Sequence, residues 1–158
     1  MNDNLTTATP VLTVTRVLDA PRSLVWKAWT DPAHVARWWG PAGCTVSLDE
    51  ADRRPGGRFR REMRMPGSAM VVVVSGTFEE VVPEQRLVTI GVLERPGSPP
   101  VKSRMTVTLE DRDGKTELTI VQTSADFNEE YIANANVGWA QAFEKLEALL
   151  ASEQGRAG

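Results

Sequence analysis

Three polar side chains fall on faces of this chain that are otherwise apolar. Arg16 alternates with Val14 and Leu18, Arg61 alternates with Phe59 and Met63, and Asn136 interrupts the apolar row of a helical pattern. A polar group placed this way must be answered by a protein partner or by a bound molecule, because burying it alone is costly. Glu50, alternating with Leu48, is the candidate partner for one of the arginines. Two readings of the set stand side by side. One is a structural Arg–Glu or Arg–Asn network inside a core. The other is a polar anchor, in a mainly apolar pocket, for a carboxylate, a phenol or a carbonyl that the anchor would polarise.

The apolar counterpart is tryptophan. Four of the five, Trp26, Trp29, Trp38 and Trp39, lie within fourteen residues, and Trp139 stands apart in a late helical segment. An indole is costly to leave in water, and its N–H needs a partner when buried. Trp26 and Trp29 share an amphipathic helical pattern and read as core. Trp38 and Trp39 are neighbours, about 100° apart on a helix, so they cannot both be fully buried. One of them is expected at a pocket mouth or an exposed patch, facing Trp139. With Phe143 on the same helix as Trp139, and Phe59, Met63 and Met105 on strands, they make up the expected cavity wall. Ala135, Gly138 and Ala142 form a stripe of small residues on that helix. Glycine there costs about 1 kcal/mol relative to alanine, so Gly138 marks either a close approach of helix to sheet or volume kept for a ligand.

Other chemistries find little support. His34, the single histidine, sits in the first turn of a short helical segment and reads as a solvated residue. Neither a paired Cys/His spacing nor an acidic calcium loop occurs, so no metal and no cofactor are expected. There is no G-x-S-x-G or P-loop, and Cys44 has no base beside it in sequence. Six arginines crowd residues 53–64, with Arg58, Arg60 and Arg64 on one strand face and Glu62 among them. That face reads as solvated, or as a docking patch for an acidic protein; it lacks the interleaved aromatics of a nucleic-acid surface. The net charge of -3 also argues against nucleic acid and anionic membranes. The chain shows no secretory signal pattern and no apolar run long enough to span a membrane. With one cysteine, it is expected to be a soluble cytoplasmic protein.

The elements that must position these residues are legible from periodicity. At 158 residues, 41% hydrophobic, the chain suits one domain. Residues 1–10 and 153–158 read as tails, leaving 11–152 as the folded unit. Val11 to Leu18 is a strand, Pro21 to Thr30 a helix, and Asp31-Pro32 caps and opens a second short helix to about Trp39. Strands follow from Cys44, Arg58, Ala69 and Arg86, the last ending before an exposed loop at residues 95–100. Two more, around Met105–Glu110 and Glu117–Thr123, make a hairpin across Asp111–Gly114. Asn128 then caps a helix whose row Ile132, Asn136, Trp139, Phe143, Leu146 and Leu150 carries it to about Ser152. One strand, two short helices, six strands and one long helix make an α+β pattern in which the long helix covers an antiparallel sheet.

With these residues placed, the chain resembles the SRPBCC (START-like, Bet v 1-like) superfamily. More narrowly it is similar to the bacterial branch related to the C-terminal domain of the activator of heat-shock protein 90 ATPase. The resemblance rests on Ala20-Pro21, Val25-Trp26, Trp29-Thr30-Asp31-Pro32, Trp38-Trp39-Gly40-Pro41, and Asp52 with Arg54-Pro55-Gly56-Gly57. It continues through Gly76, Glu80 with Pro83-Glu84-Gln85-Arg86-Leu87, and Gly138-Trp139, spanning residues 11 to about 150. It implies a helix-grip fold: a curved antiparallel sheet of six or seven strands around the C-terminal helix, with a cavity between them. Functions implied by the superfamily are binding of a small apolar or amphipathic molecule, cyclase-like catalysis, or contact with a chaperone partner.

Overall fold

The structure, a computed structural model, describes residues 11–157. The expected tail at residues 1–10 lies outside the described residues. In chain order the elements are β1 (Val11–Leu18), α1 (Arg22–Thr30), α2 (Pro32–Trp38), β2 (Thr45–Ala51), β3 (Arg58–Arg64), β4 (Val71–Val82), β5 (Arg86–Glu94), β6 (Val101–Arg112), β7 (Lys115–Thr123) and α3 (Glu129–Ala157). The strands form one antiparallel sheet in the order β1-β7-β6-β5-β4-β3-β2, and its curve grips α3. The first two strands are therefore opposite edges of the sheet. The α1–α2 pair carries the chain from one edge to the other.

Local chemistry explains the joints. Asp31 serves both short helices: its backbone N–H donates to the Lys27 carbonyl and closes α1. Its side chain accepts from the Ala33 N–H at 3.0 Å and opens α2, with Pro32 at the first helical position. Trp38 locks the pair, its Nε1 donating to the Ala28 carbonyl at 2.8 Å from a fully buried ring. Between β6 and β7, Asp113 and Gly114 both take positive φ, the conformation a two-residue hairpin turn demands. Asn128 caps α3 by accepting from the Tyr131 N–H at 2.8 Å.

The main core lies where α1, α2 and the second half of α3 meet the sheet. Leu18, Val107, Leu118 and Ile120 from the strands pack there with Val25, Trp38, Phe143 and Leu146. Two expectations are corrected here. Residues 153–157 are not a tail but the last turns of α3. Glu153 pairs with His34 at 3.3 Å and with Arg37 at 3.7 Å, and Gln154 Nε2 donates to the Asp19 carbonyl at 2.7 Å. His34 is accordingly not a solvated residue. Its side chain, 12% exposed, sits between Asp31 and Glu153, which the long helix brings to it from 119 residues away.

Candidate ligand cavity between the sheet and the C-terminal helix

The first half of α3 packs through Tyr131, Ile132 and Ala135 on a second cluster of Leu12, Val101 and Phe127, and a cavity of about 610 Å³ lies between it and the rest of the sheet. The strands supply its floor by simple alternation. Phe59, Arg61 and Met63 of β3 point in, while Arg58, Arg60 and Arg64 are exposed on the outer face, where Arg60 meets Glu62 at 3.0 Å. Val72, Val74 and Phe78 of β4, Leu87 and Thr89 of β5, Ser103 and Met105 of β6, and Gln122 of β7 complete it. Within the floor Gly76 and Gly91 face each other across β4 and β5. A Cβ at Gly91 would stand 2.9 Å from the Ser75 carbonyl oxygen and 3.3 Å from the Phe59 ring, so the close approach requires glycine there.

The roof is aromatic. Trp139 stacks on Trp29 at 6.2 Å and meets the edge of Trp39 at 5.6 Å. Its Nε1 donates to Gln122 Oε1 at 3.2 Å, tying roof to floor. Trp29 also lines the cavity, and its buried Nε1 has no hydrogen-bond partner among the described residues. Trp39, Gly40 and Pro41 leave α2 in a bend that forms one wall. Lys145 of α3 holds that wall, its Nζ donating to the Trp39 carbonyl at 3.3 Å and to the Pro41 carbonyl at 3.0 Å. Burial pulls the Lys145 ammonium below its ordinary range. Gly138 faces the cavity with room to spare: a Cβ there would meet only Pro41 Cγ, at 3.8 Å.

The charged centre differs from the expected one. Arg61 is buried, and its Nε and Nη2 donate to Asp49 Oδ1 at 3.3 and 3.2 Å. Arg53 Nη2 donates to the other oxygen, Oδ2, at 3.3 Å. The Arg61 guanidinium also lies over the Trp39 ring, 4.2 Å from its centroid. Burial lowers the Arg61 pKa, and Asp49 opposes that only in part. Glu50, expected to answer an arginine, is exposed and stands opposite the outward Arg60. The cause is a bulge between Val46 and Leu48, which shifts the alternation of β2 by one and turns Asp49 inward in place of Glu50.

Of the residues expected at the site, Trp39, Phe59, Arg61, Met63, Met105 and Trp139 line the cavity. Five do not. Trp38 is fully buried beneath the wall, and Phe143 is fully buried in the core below the roof. Arg16, on the β1 edge, pairs with Glu147 at 3.3 Å and lies over the Phe143 ring. Asn136 is exposed, about 100° round the helix from the cavity-lining Ala135. Glu50 faces outward, as above. Trp29, Arg53 and Asp49 were not foreseen. Trp29 carried the signal of a core residue and is 96% buried, yet it also contributes to the lining of the cavity. The far end of the cavity is polar. Arg95, from the β5–β6 loop, lies over Tyr131 at 5.9 Å, and Asp126 accepts from the Lys102 N–H at 3.0 Å.

With the geometry set out, known proteins place the chain. Solved structures share the architecture. Protein CV1439 from Chromobacterium violaceum is 30% identical, with a TM-score of 0.79 over 89% of this chain and 96% of that one. Protein NE0264 from Nitrosomonas europaea is 27% identical, with a TM-score of 0.73 over 92% and 96%. The AHSA1 protein SPO3351 from Silicibacter pomeroyi, 24% identical, shares the fold with a TM-score of 0.77 over 91% and 99%. No curated protein matches the chain. No helix among the described residues is long and apolar enough to cross a membrane. The family model described as activator of Hsp90 ATPase homolog 1-like protein matches residues 19–151. A match over that span, in a helix-grip fold with the cavity between sheet and α3, means that the chain belongs to the activator of Hsp90 ATPase homolog 1-like family.

Proposed function

We propose that this protein binds a small, largely apolar molecule in the cavity between the sheet and α3, with no metal or cofactor taking part. Gly138 is the observation that carries the reading. Glycine inside a helix costs about 1 kcal/mol relative to alanine, and close packing is the usual reason to keep it. Here a methyl group would have open room. The missing side chain instead preserves space, in a cavity whose volume falls within the roughly 300–1,000 Å³ of sites for drug-sized ligands. The family supports the reading at the level of class, as one of ligand-binding or cyclase-like folds.

The test uses the neutral dye N-phenyl-naphthylamine, together with native mass spectrometry of the purified protein. Uptake should raise dye emission and quench the fluorescence of Trp29, Trp39 and Trp139. Gly138→Leu, which projects four carbons into the cavity, should abolish uptake while leaving the far-ultraviolet circular dichroism unchanged. A wild type that neither takes up the dye nor carries a co-purified molecule refutes the proposal. Turnover of a cavity-sized carbonyl compound, lost on Arg61→Met, would convert the binding reading into a catalytic one.

A further inference from the structure

We propose that the ligand is an amphipathic monoanion whose single oxyanion, of the carboxylate type, seats beside Arg61 and Arg53 while its apolar body lies along the tryptophans. This inference rests on the cavity being a binding site and specifies the chemical class it takes.

Charge balance is the first argument. Arg53 and Arg61 both line the cavity, and they share one carboxylate, that of Asp49. The cluster thus keeps one positive charge in excess. Its groups are removed from water: the side chains of Asp49, Arg61 and Arg53 are only 5%, 11% and 18% exposed. A purely structural pair would match one arginine with one carboxylate, because an uncompensated buried charge is strongly destabilising. An anion entering the cavity supplies the missing charge.

Donor geometry is the second. Asp49 takes its hydrogen bonds from Arg61 Nε and Nη2, so the two N–H groups of Nη1 remain outside that pair. A guanidinium with one edge on a carboxylate and one face on an aromatic ring is fixed in orientation. Such a fixed donor edge suits an oxyanion better than a neutral carbonyl.

The remaining charges of the lining show which end takes the head group. Arg95, Asp126 and Glu130 belong to the β5–β6 loop, the β7–α3 segment and the first turn of α3. Together they carry one negative charge in excess, and β6, whose first residues meet Asp126, lies three strand spacings from β3. The two ends of the cavity therefore have opposite bias, with Val74 and Phe78 of β4 and Leu87 and Leu93 of β5 between them. An anion is directed to the Arg61 end and repelled from the other.

Two dyes with one aromatic frame test this. Anilinonaphthalene sulfonate carries an oxyanion that N-phenyl-naphthylamine lacks. The wild type should bind the sulfonate about tenfold more tightly than the neutral dye. Arg61→Met should erase that preference and leave neutral-dye binding in place, and Arg53→Met should reduce it in the same direction. The outward Arg60→Met should change nothing. Equal affinity of the wild type for both dyes overturns the anion proposal and leaves the cavity reading standing. A preference that survives both inward substitutions, or that falls with Arg60→Met, overturns it too, because the anion would then be held on the outer surface. Binding of neither dye overturns this proposal along with the cavity reading.

Discussion

Gly138 and Asp49 are the residues at which stability and binding separate most cleanly. At Gly138 a methyl group meets only an ordinary van der Waals contact and the helix gains a better helix former. Gly138→Ala should therefore stabilise the empty protein by about 1 kcal/mol, read as a raised midpoint in urea. Destabilisation would mean that the helix needs the glycine for packing. Asp49 holds the buried Arg61 and the half-buried Arg53. Asp49→Ala should cost about 3–5 kcal/mol, because it strands both cations. The neighbouring Glu50→Ala, on the exposed face, should stay within about 0.5 kcal/mol of wild type. Equilibrium urea denaturation of both variants checks the pair, and a large loss at Glu50 would contradict the register of β2. From the sequence, Arg61 was legible as an inward charge because it alternates with Phe59 and Met63. Its partner was not, since strict alternation selects Glu50 and only hydrogen-bonded pairing across β2 and β3 reveals the bulge.

Among the elements, α2 shows how much one residue can carry. Seven residues long, it is too short to hold itself as a helix and depends on its cap and on Trp38. The Asp31 carboxyl sits below its usual pKa, chiefly because the Ala33 N–H donates to the ionised form. A depressed acid contributes stability that is fully present above its unfolded pKa and is lost as pH falls through the folded value. Asp31→Ala should cost about 1 kcal/mol at neutral pH. The difference from wild type should close as the pH is lowered through the carboxylate range, as thermal melts along a pH series would show. A difference that stays constant in acid would assign the effect to something other than the ionised cap. The position of α2 after α1 was legible, since Asp31-Pro32 is a local cap signal. The length of α3 was not. Its final turns hold few apolar residues, and what keeps them helical is Glu153 and Gln154 meeting α2 and the β1–α1 joint.

At the scale of the whole molecule, α3 closes on the sheet at both ends and leaves a cavity beneath the middle of its first half. The second half of the helix is packed by Phe143, Leu146, Leu149 and Leu150, all nearly inaccessible to solvent. The first half bears Ala135, Gly138 and Trp139 and borders the cavity. This division explains why two of the residues expected at the site are absent from its wall. Trp38 and Phe143 have the apolar character of a lining, but they fall on the closed side, where packing is dense. The binding of a neutral dye and the preference for an anionic one both depend on this division, the first on the open half of α3 and the second on the β3 end.

The sequence by itself determined the order of strands and helices, the caps, the inward face of β3 and the family resemblance. Each of these is written in short-range spacing or in local turn chemistry. Only the tertiary structure decided which aromatic residues are core and which are wall, that Asp49 rather than Glu50 meets Arg61, and that Gly138 faces empty space. Those outcomes depend on residues far apart in the chain, on one bulge that shifts a strand by a single position, and on where two packed surfaces part. Periodicity tells which side of an element is apolar; it does not tell whether protein or a ligand fills the space against it.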